Sequence, residues 1–351
     1  MGRTVKDNRD LPHPRPVKKI ELSADNTKRR IIAAVLFLLI GAVALAYAFF
    51  NLITPEAGWQ AIEVSSSAGV TCADEFVFLY ELGSSGAAVQ AENRAVSMLY
   101  TQAAQKAYQL FNSDERFDGV TNVYDMNRQP NQVLKVDETL YRAFNTIKTY
   151  GDRTIFLGPV YARYNDLFFC EDDAQLMDFD PRLSESVRQE YSELAAFAVD
   201  PTAIDLQLLG ENQVRLYVSE NYLAYAEQVG IVDFIDFSWM KNAFIVDYLA
   251  QVMTEHGYTH GSISSYDGFL CNLDDRDTLY SLNLFDHVGG VIYQAASMEY
   301  VGAMSVVYLR DYPINDMDEL HYYELRNGEI RTPYLDVQDG LCKSAVGDLT
   351  A

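Results

Sequence analysis

Two acids and a lysine lie close together where an apolar run meets a turn, in Ile235-Asp236-Phe237-Ser238-Trp239-Met240-Lys241-Asn242-Ala243-Phe244-Ile245-Val246-Asp247. Read physically, this is a strand ending in an acid, a tight turn, and a helix whose first free amides, with Lys241, could hold a phosphate or another anion. Other candidate chemistry is weaker. His256 and His260 have the spacing of a helical metal pair, but Gly257 and a strand start at His260 break the shared face, so no metal site is expected. The clusters Glu171-Asp172-Asp173 and Asp274-Asp275-Arg276-Asp277 lack the spaced acids of a calcium loop and read as solvated turns. No Gly-x-Ser-x-Gly, HExxH or phosphate-binding GxxxxGK[ST] pattern occurs, which removes the common hydrolase, zinc protease and nucleotide triphosphatase readings.

The elements that must position these residues alternate between helix and strand, an α+β pattern. A helix is expected from about Ala91 to Phe111, with Val96, Leu99, Tyr100, Ala103, Ala107, Leu110 and Phe111 on one face. Another starts after Asp137, whose carboxylate can cap free amides, and carries Leu140, Ala143, Phe144 and Ile147. Ile204, Leu206 and Leu208 alternate into a turn at Gly210-Glu211-Asn212, and Val214, Leu216 and Val218 alternate back. A helix over 219–229, a strand over Ile231–Phe237, a helix over Ser238–His256 and a strand over His260–Ser265 follow. Asn327-Gly328 predicts a type I′ hairpin turn.

Ahead of this domain, Ile31 to Phe50 is free of charge and long enough as a helix to cross a bilayer core. The nine basic residues before it, among them Lys28-Arg29-Arg30, stand against four acids and place that flank in the cytoplasm. The expected order is a basic cytoplasmic tail over 1–30, a transmembrane helix over 31–53, a stalk over 54–74 and an extracytoplasmic domain over 75–351. Ala44-Leu45-Ala46 also fits a cleavage site, so a removed leader is the competing reading. With 50 acids against 27 bases the chain carries a net charge of −23. Nucleic acid is therefore not an expected partner. Cys72, Cys170, Cys271 and Cys342 form no metal or redox motif, and both disulfides and free thiols fit them.

From about Glu75 onward the chain resembles the ApbE family of FAD:protein FMN transferases, whose motif reads L-D-L-G-G-I-A-K-G-Y-A-V-D where this chain has Ile235 to Asp247. Asp236 and Asp247 match its two acids. After the helix, Gly257 through Gly268 stand where the family has a strand and a Gly-Gly-(Asn/Asp) turn, and Ser113 to Asn127 and Asn327 to Gly340 are similar to its flanking segments. The resemblance implies an α+β flavin-binding fold, an FAD substrate, and Mg²⁺-assisted transfer of FMN to a Thr or Ser of a partner protein. The flavin pocket would be walled by the turn Asp236 to Asn242 and the turn Ser264 to Gly268, with Asp236, Trp239, Lys241, Asn242, Asp247, Tyr266 and Asp267 as its binding residues and Trp239 or Tyr266 stacking on the ring.

The chain departs from the family where ligand is held. Ser238 and Trp239 replace the turn glycines, Asn242 stands at the motif lysine with Lys241 one place early, and Tyr266-Asp267 replace Gly-Gly. The family's histidine pair is replaced around Pro333-Tyr334, and its Asp-Ala-x-x-Thr metal segment is not reached by Ala351. The expectation is an ApbE-like domain without working transfer chemistry, with FAD an inherited ligand and Mg²⁺ needed only by an active transferase. An active FMN transferase and a protein-interaction ectodomain without flavin are the alternatives.

Overall fold

The computed structural model describes residues 27–53, 56–313, 321–343 and 347–351. The chain divides into two compact units, Met1–Pro55 and Glu56–Ala351. In the first, α1 (Thr27–Ile53) is one 27-residue helix, and every side chain described in it, residues 31–45, is exposed. Among the described residues no helix is long and apolar enough to cross a membrane; residues 1–26 of the expected tail lie outside them.

The second unit is built on a six-stranded antiparallel sheet. Its strands are β1 (Gly58–Ile62), β2 (Phe76–Leu82), β6 (Gly261–Ser265), β7 (Phe269–Asn272), β10 (Met304–Arg310) and β13 (Asp348–Thr350), in that spatial order. A three-stranded sheet orders β3 (Val133–Lys135), β5 (Gln213–Val218) and β4 (Ile204–Gly210), and two hairpins pair β8 (Leu279–Val288) with β9 (Val291–Val301) and β11 (Tyr323–Glu324) with β12 (Ile330–Arg331). Along β2, Phe78, Tyr80 and Leu82 are buried while Val77 and Leu79 face solvent, the alternation of a sheet covered on one side. The cover is α2 (Val89–Phe111), against β1 and β2, and α8 (Lys241–Glu255), against β6 and β7; the two helices also pack on each other.

Between them run α3 (Val123–Arg128), α4 (Glu138–Tyr150), α5 (Gly158–Tyr164), α6 (Glu185–Val199) and α7 (Glu220–Val229). Asp137 caps α4 as expected, its carboxylate accepting from Thr139 N at 2.9 Å. One apolar core joins sheet and helices. Its centre is aromatic: Phe237 lies edge-on to Phe111 at 5.0 Å between ring centroids and stacks on Phe144 at 5.4 Å.

Three sequence expectations are corrected. Residues 54–74 are not a bare stalk, since β1 pairs with β2 from Gly58↔Leu82 to Ile62↔Phe78. Residues 231–237 form no strand: Asn127 takes their backbone bonds through its side chain, and Asp236 N donates to Ile155 O at 2.9 Å. At Asn327-Gly328 only the glycine has positive φ, +84°, and Leu325 N donates to Glu329 O at 2.8 Å. That is a three-residue loop with a glycine bulge, because Asn327 does not adopt the left-handed conformation a type I′ turn needs. All four cysteines are free thiols.

Candidate functional site

The segment 231–237 is held by its backbone, which leaves its side chains free to divide between core and cleft. Asn127 Oδ1 accepts from Phe234 N at 3.0 Å and Ile235 N at 2.9 Å, while its Nδ2 donates to Ile235 O at 2.9 Å. Gly158 permits this approach, since a Cβ there would lie 2.9 Å from the Ile235 backbone. Ile235 and Phe237 are buried in the core, so Asp236 between them faces outward. Its carboxylate then accepts from Ser238 N and closes the turn. Ser238 has φ +47°, so the turn keeps a left-handed backbone where the resembling motif has glycine.

The opposite wall comes from the sheet. Glu75 leads into β2 and Tyr266-Asp267 follow β6; Tyr266 N donates to Glu75 O at 3.1 Å, which ties the two together. Gly268 is required here, with φ +105° and a would-be Cβ 1.9 Å from Tyr308 O. The C-terminal segment adds His321 and Pro333 to the rim. It is anchored by the buried ion pair of Arg331 with Asp180 at 2.7 Å and by Tyr164 OH donating to Thr332 O at 3.1 Å.

These walls enclose a cleft of about 410 Å³. Asp236, Trp239, Lys241, Asn242, Tyr266 and Asp267 all line it, so the structure brings together six of the seven residues singled out in the sequence. Asp247 is not among them. Five residues beyond Asn242, it is turned roughly 140° around α8, and it borders a separate depression with Arg142 and Tyr248. Sequence reasoning missed Asp233, three residues before Asp236, and Glu75, Asp114, Tyr161 and His321, which reach the cleft from elements distant in the chain. Trp239 meets Tyr334 edge-on at 5.3 Å, and Tyr266 OH bonds to His321 Nε2.

Charge in the cleft is lopsided. Glu75, Asp114, Asp233, Asp236 and Asp267 share it with Lys241. Burial disfavours the Lys241 ammonium, but the carboxylates of Glu75, Asp236 and Asp114 more than offset this and hold its pKa above the ordinary lysine value. Asp233 is engaged by Arg128 at 2.6 Å. Asn242, 3 % exposed, donates its amide hydrogens to Glu75 Oε2 and Asp267 Oδ2, each at 3.0 Å. Burial, reinforced by the Glu75 charge, pushes the Asp267 pKa up to about 6. Asn242 Oδ1, Asp267 Oδ1 and Trp239 Nε1 are buried without a hydrogen-bond partner.

No family model matches the chain, and no curated protein matches it in sequence. Solved structures do. The ApbE protein of Thermotoga maritima superposes with a TM-score of 0.53 at 13% identity, covering 83% of this chain and 81% of that one. A variant of the flavin transferase ApbE from Vibrio cholerae gives a TM-score of 0.51 at 11% identity, with 84% and 80% covered. The fold is ApbE-like. At these identities the likeness shows the ApbE-like fold alone, and this cleft's chemistry must be read from its own residues.

A pyrophosphate does not fit those residues. It presents acceptor oxygens and negative charge, whereas the unpartnered cleft atoms are two acceptors against one donor, Trp239 Nε1, and the surrounding charge is mostly negative. Among the described residues no group of three or more His, Cys, Asp or Glu is placed to hold a metal ion. His256 Nδ1 is instead bonded to Val252 O at 2.8 Å, and Asp274 is bound by Arg276.

Proposed function

We propose that this chain is a membrane-tethered, extracytoplasmic binding domain on an ApbE-like fold that does not transfer FMN. The observation that carries it is the setting of Lys241, the cleft's lysine, whose charge is answered by Glu75, Asp236 and Asp114 within the protein. Phosphate transfer needs positive charge or metal aimed at the developing negative oxygens. Here the surplus is negative, and Trp239 and Tyr266 occupy turns that the resembling family fills with glycine. The test is to incubate the full-length chain in nanodiscs with FAD, Mg²⁺ and a Thr-bearing acceptor domain, then measure acceptor mass. An unchanged mass is expected, and covalent gain of FMN would restore the transferase reading.

The tether is supported by the sequence Ile31–Phe50, twenty residues without a charge, in a helix whose described side chains, residues 31–45, are all exposed but are fewer than the roughly 20 residues a span needs. Such a surface is stable in lipid and costly in water. The basic residues before it favour a cytoplasmic N-terminus, and the acidic domain beyond would then be outside the cell. Protease added to intact cells should digest the domain and spare an N-terminal tag; digestion of the tag alone would reverse the orientation. The same acidity argues against a nucleic-acid partner.

A further inference from the structure

We propose that the cleft binds an organic cation, an ammonium or guanidinium carried on a flat apolar body. The proposal rests on the reading of the cleft as a binding site without transfer chemistry, and it names the ligand class. Asn242 has two amide hydrogens to give, and Glu75 and Asp267 take them. That fixes the amide: turned over, its oxygen would face two carboxylates. Asn242 Oδ1 is therefore left with no donor, in a cleft-lining side chain 3 % exposed, and Asp267 Oδ1 also lacks one. A buried acceptor without a donor costs roughly 1–3 kcal/mol, so a ligand that brings N–H groups gains what this site lacks.

Charge and shape select the same class. After Arg128 engages Asp233, four carboxylates share the cleft with Lys241, and the excess is negative. The remaining walls are aromatic: Tyr161, Trp239, Tyr266 and, at the mouth, Phe169, which is 68% exposed. Aromatic faces attract cations and cover flat apolar groups. A bare divalent ion would leave these walls and most of the 410 Å³ unused. A pyrophosphate would meet like charge and supply no donor.

The experiment is calorimetric titration of the full-length chain in nanodiscs with tyramine and tryptamine, and with 4-ethylphenol, FAD and CaCl₂ as comparisons. At least one amine should bind in one-to-one stoichiometry, and 4-ethylphenol, which keeps the tyramine ring but no charge, should bind about tenfold or more weaker than tyramine. Asp236→Asn and Asp267→Asn should each raise the amine Kd by about tenfold or more. Asp114→Asn at the exposed mouth should weaken it less, and Asp275→Asn, exposed and not among the residues lining the cleft, should leave it unchanged. Circular dichroism of each variant separates lost binding from lost fold. Failure of both amines to bind overturns the proposal, as does equal binding of 4-ethylphenol, equal weakening by Asp275→Asn, FAD binding that amines do not displace, or Asp267-dependent binding of Ca²⁺ alone. Each of these is read apart from FMN transfer, so the ligand class and the non-catalytic reading can fail independently.

Discussion

Asn242 and Asp267 face each other across the cleft floor with amide nitrogen and carboxylate oxygen 3.0 Å apart, joining the start of α8 to the turn after β6. The contact keeps Asp267 in place while burial disfavours its charge, and the Glu75 carboxylate on the same amide adds repulsion. Two elements far apart in sequence are thus linked by a bond whose strength depends on proton occupancy.

Stability should follow that proton. The folded pKa of Asp267, about 6, exceeds its ordinary value of 3.8, so between these values the folded state binds more protons than the unfolded one. Its contribution therefore falls as pH rises from about 4 to 6 and stays low above that. Asp267→Asn should remove the dependence and gain about 1–3 kcal/mol over wild type on going from pH 4 to pH 7. Urea unfolding of both proteins across this range checks it; parallel curves would show that Asp267 titrates normally.

Gly268→Ala tests the turn that follows. The new methyl would meet Tyr308 O at 1.9 Å while the backbone is at φ +105°, and Tyr308 N already donates to Gly268 O at 2.7 Å. Neither neighbour is a flexible side-chain end, so β10 must shift. A loss of about 3 kcal/mol or more is expected, read as a lower urea midpoint, and a loss under about 1 kcal/mol would show that the turn relaxes freely.

Much of this arrangement was legible. The stripes of α2 and α4, the Asp137 cap and the β4–β5 hairpin follow from apolar period and side-chain chemistry alone. The two turns of the cleft were legible as turns, and six candidate residues meet there. What escaped depends on distance along the chain. No local pattern ties Glu75 to Asn242, 167 residues later, or tells that Asn127 will hold Ile235. β1 was masked by its Ser- and Gly-rich surroundings, and the acid match at Asp247 ignored the helical turn that points it away. The β8–β9 hairpin had a readable signal in Gly289-Gly290, both with positive φ, between alternating strands.

Ser238→Gly should relieve the turn at Asp236. Serine at φ +47° carries a steric cost that glycine does not, and the Ser238 N bond to Asp236 is a backbone bond that survives the change. A gain of about 0.5–1 kcal/mol is expected. A matching loss in chemical denaturation would mean that the serine hydroxyl contributes more than the backbone strain costs.

Asn127→Ala addresses the support beneath the whole wall. Three hydrogen bonds to Phe234 and Ile235 would go, leaving two buried N–H groups and a carbonyl unpaired where no strand can take over. Each orphaned group costs roughly 1–3 kcal/mol, partly recovered by relaxation, so about 3 kcal/mol overall is expected. Because Asp236 follows directly and Trp239 is carried by the same turn, the loss should extend to the cleft: the Trp239 fluorescence of a Trp59→Phe background should shift on adding Asn127→Ala. Full stability with an unshifted spectrum would show that the Ile155 bond to Asp236 and the packing of Phe237 suffice to hold the segment.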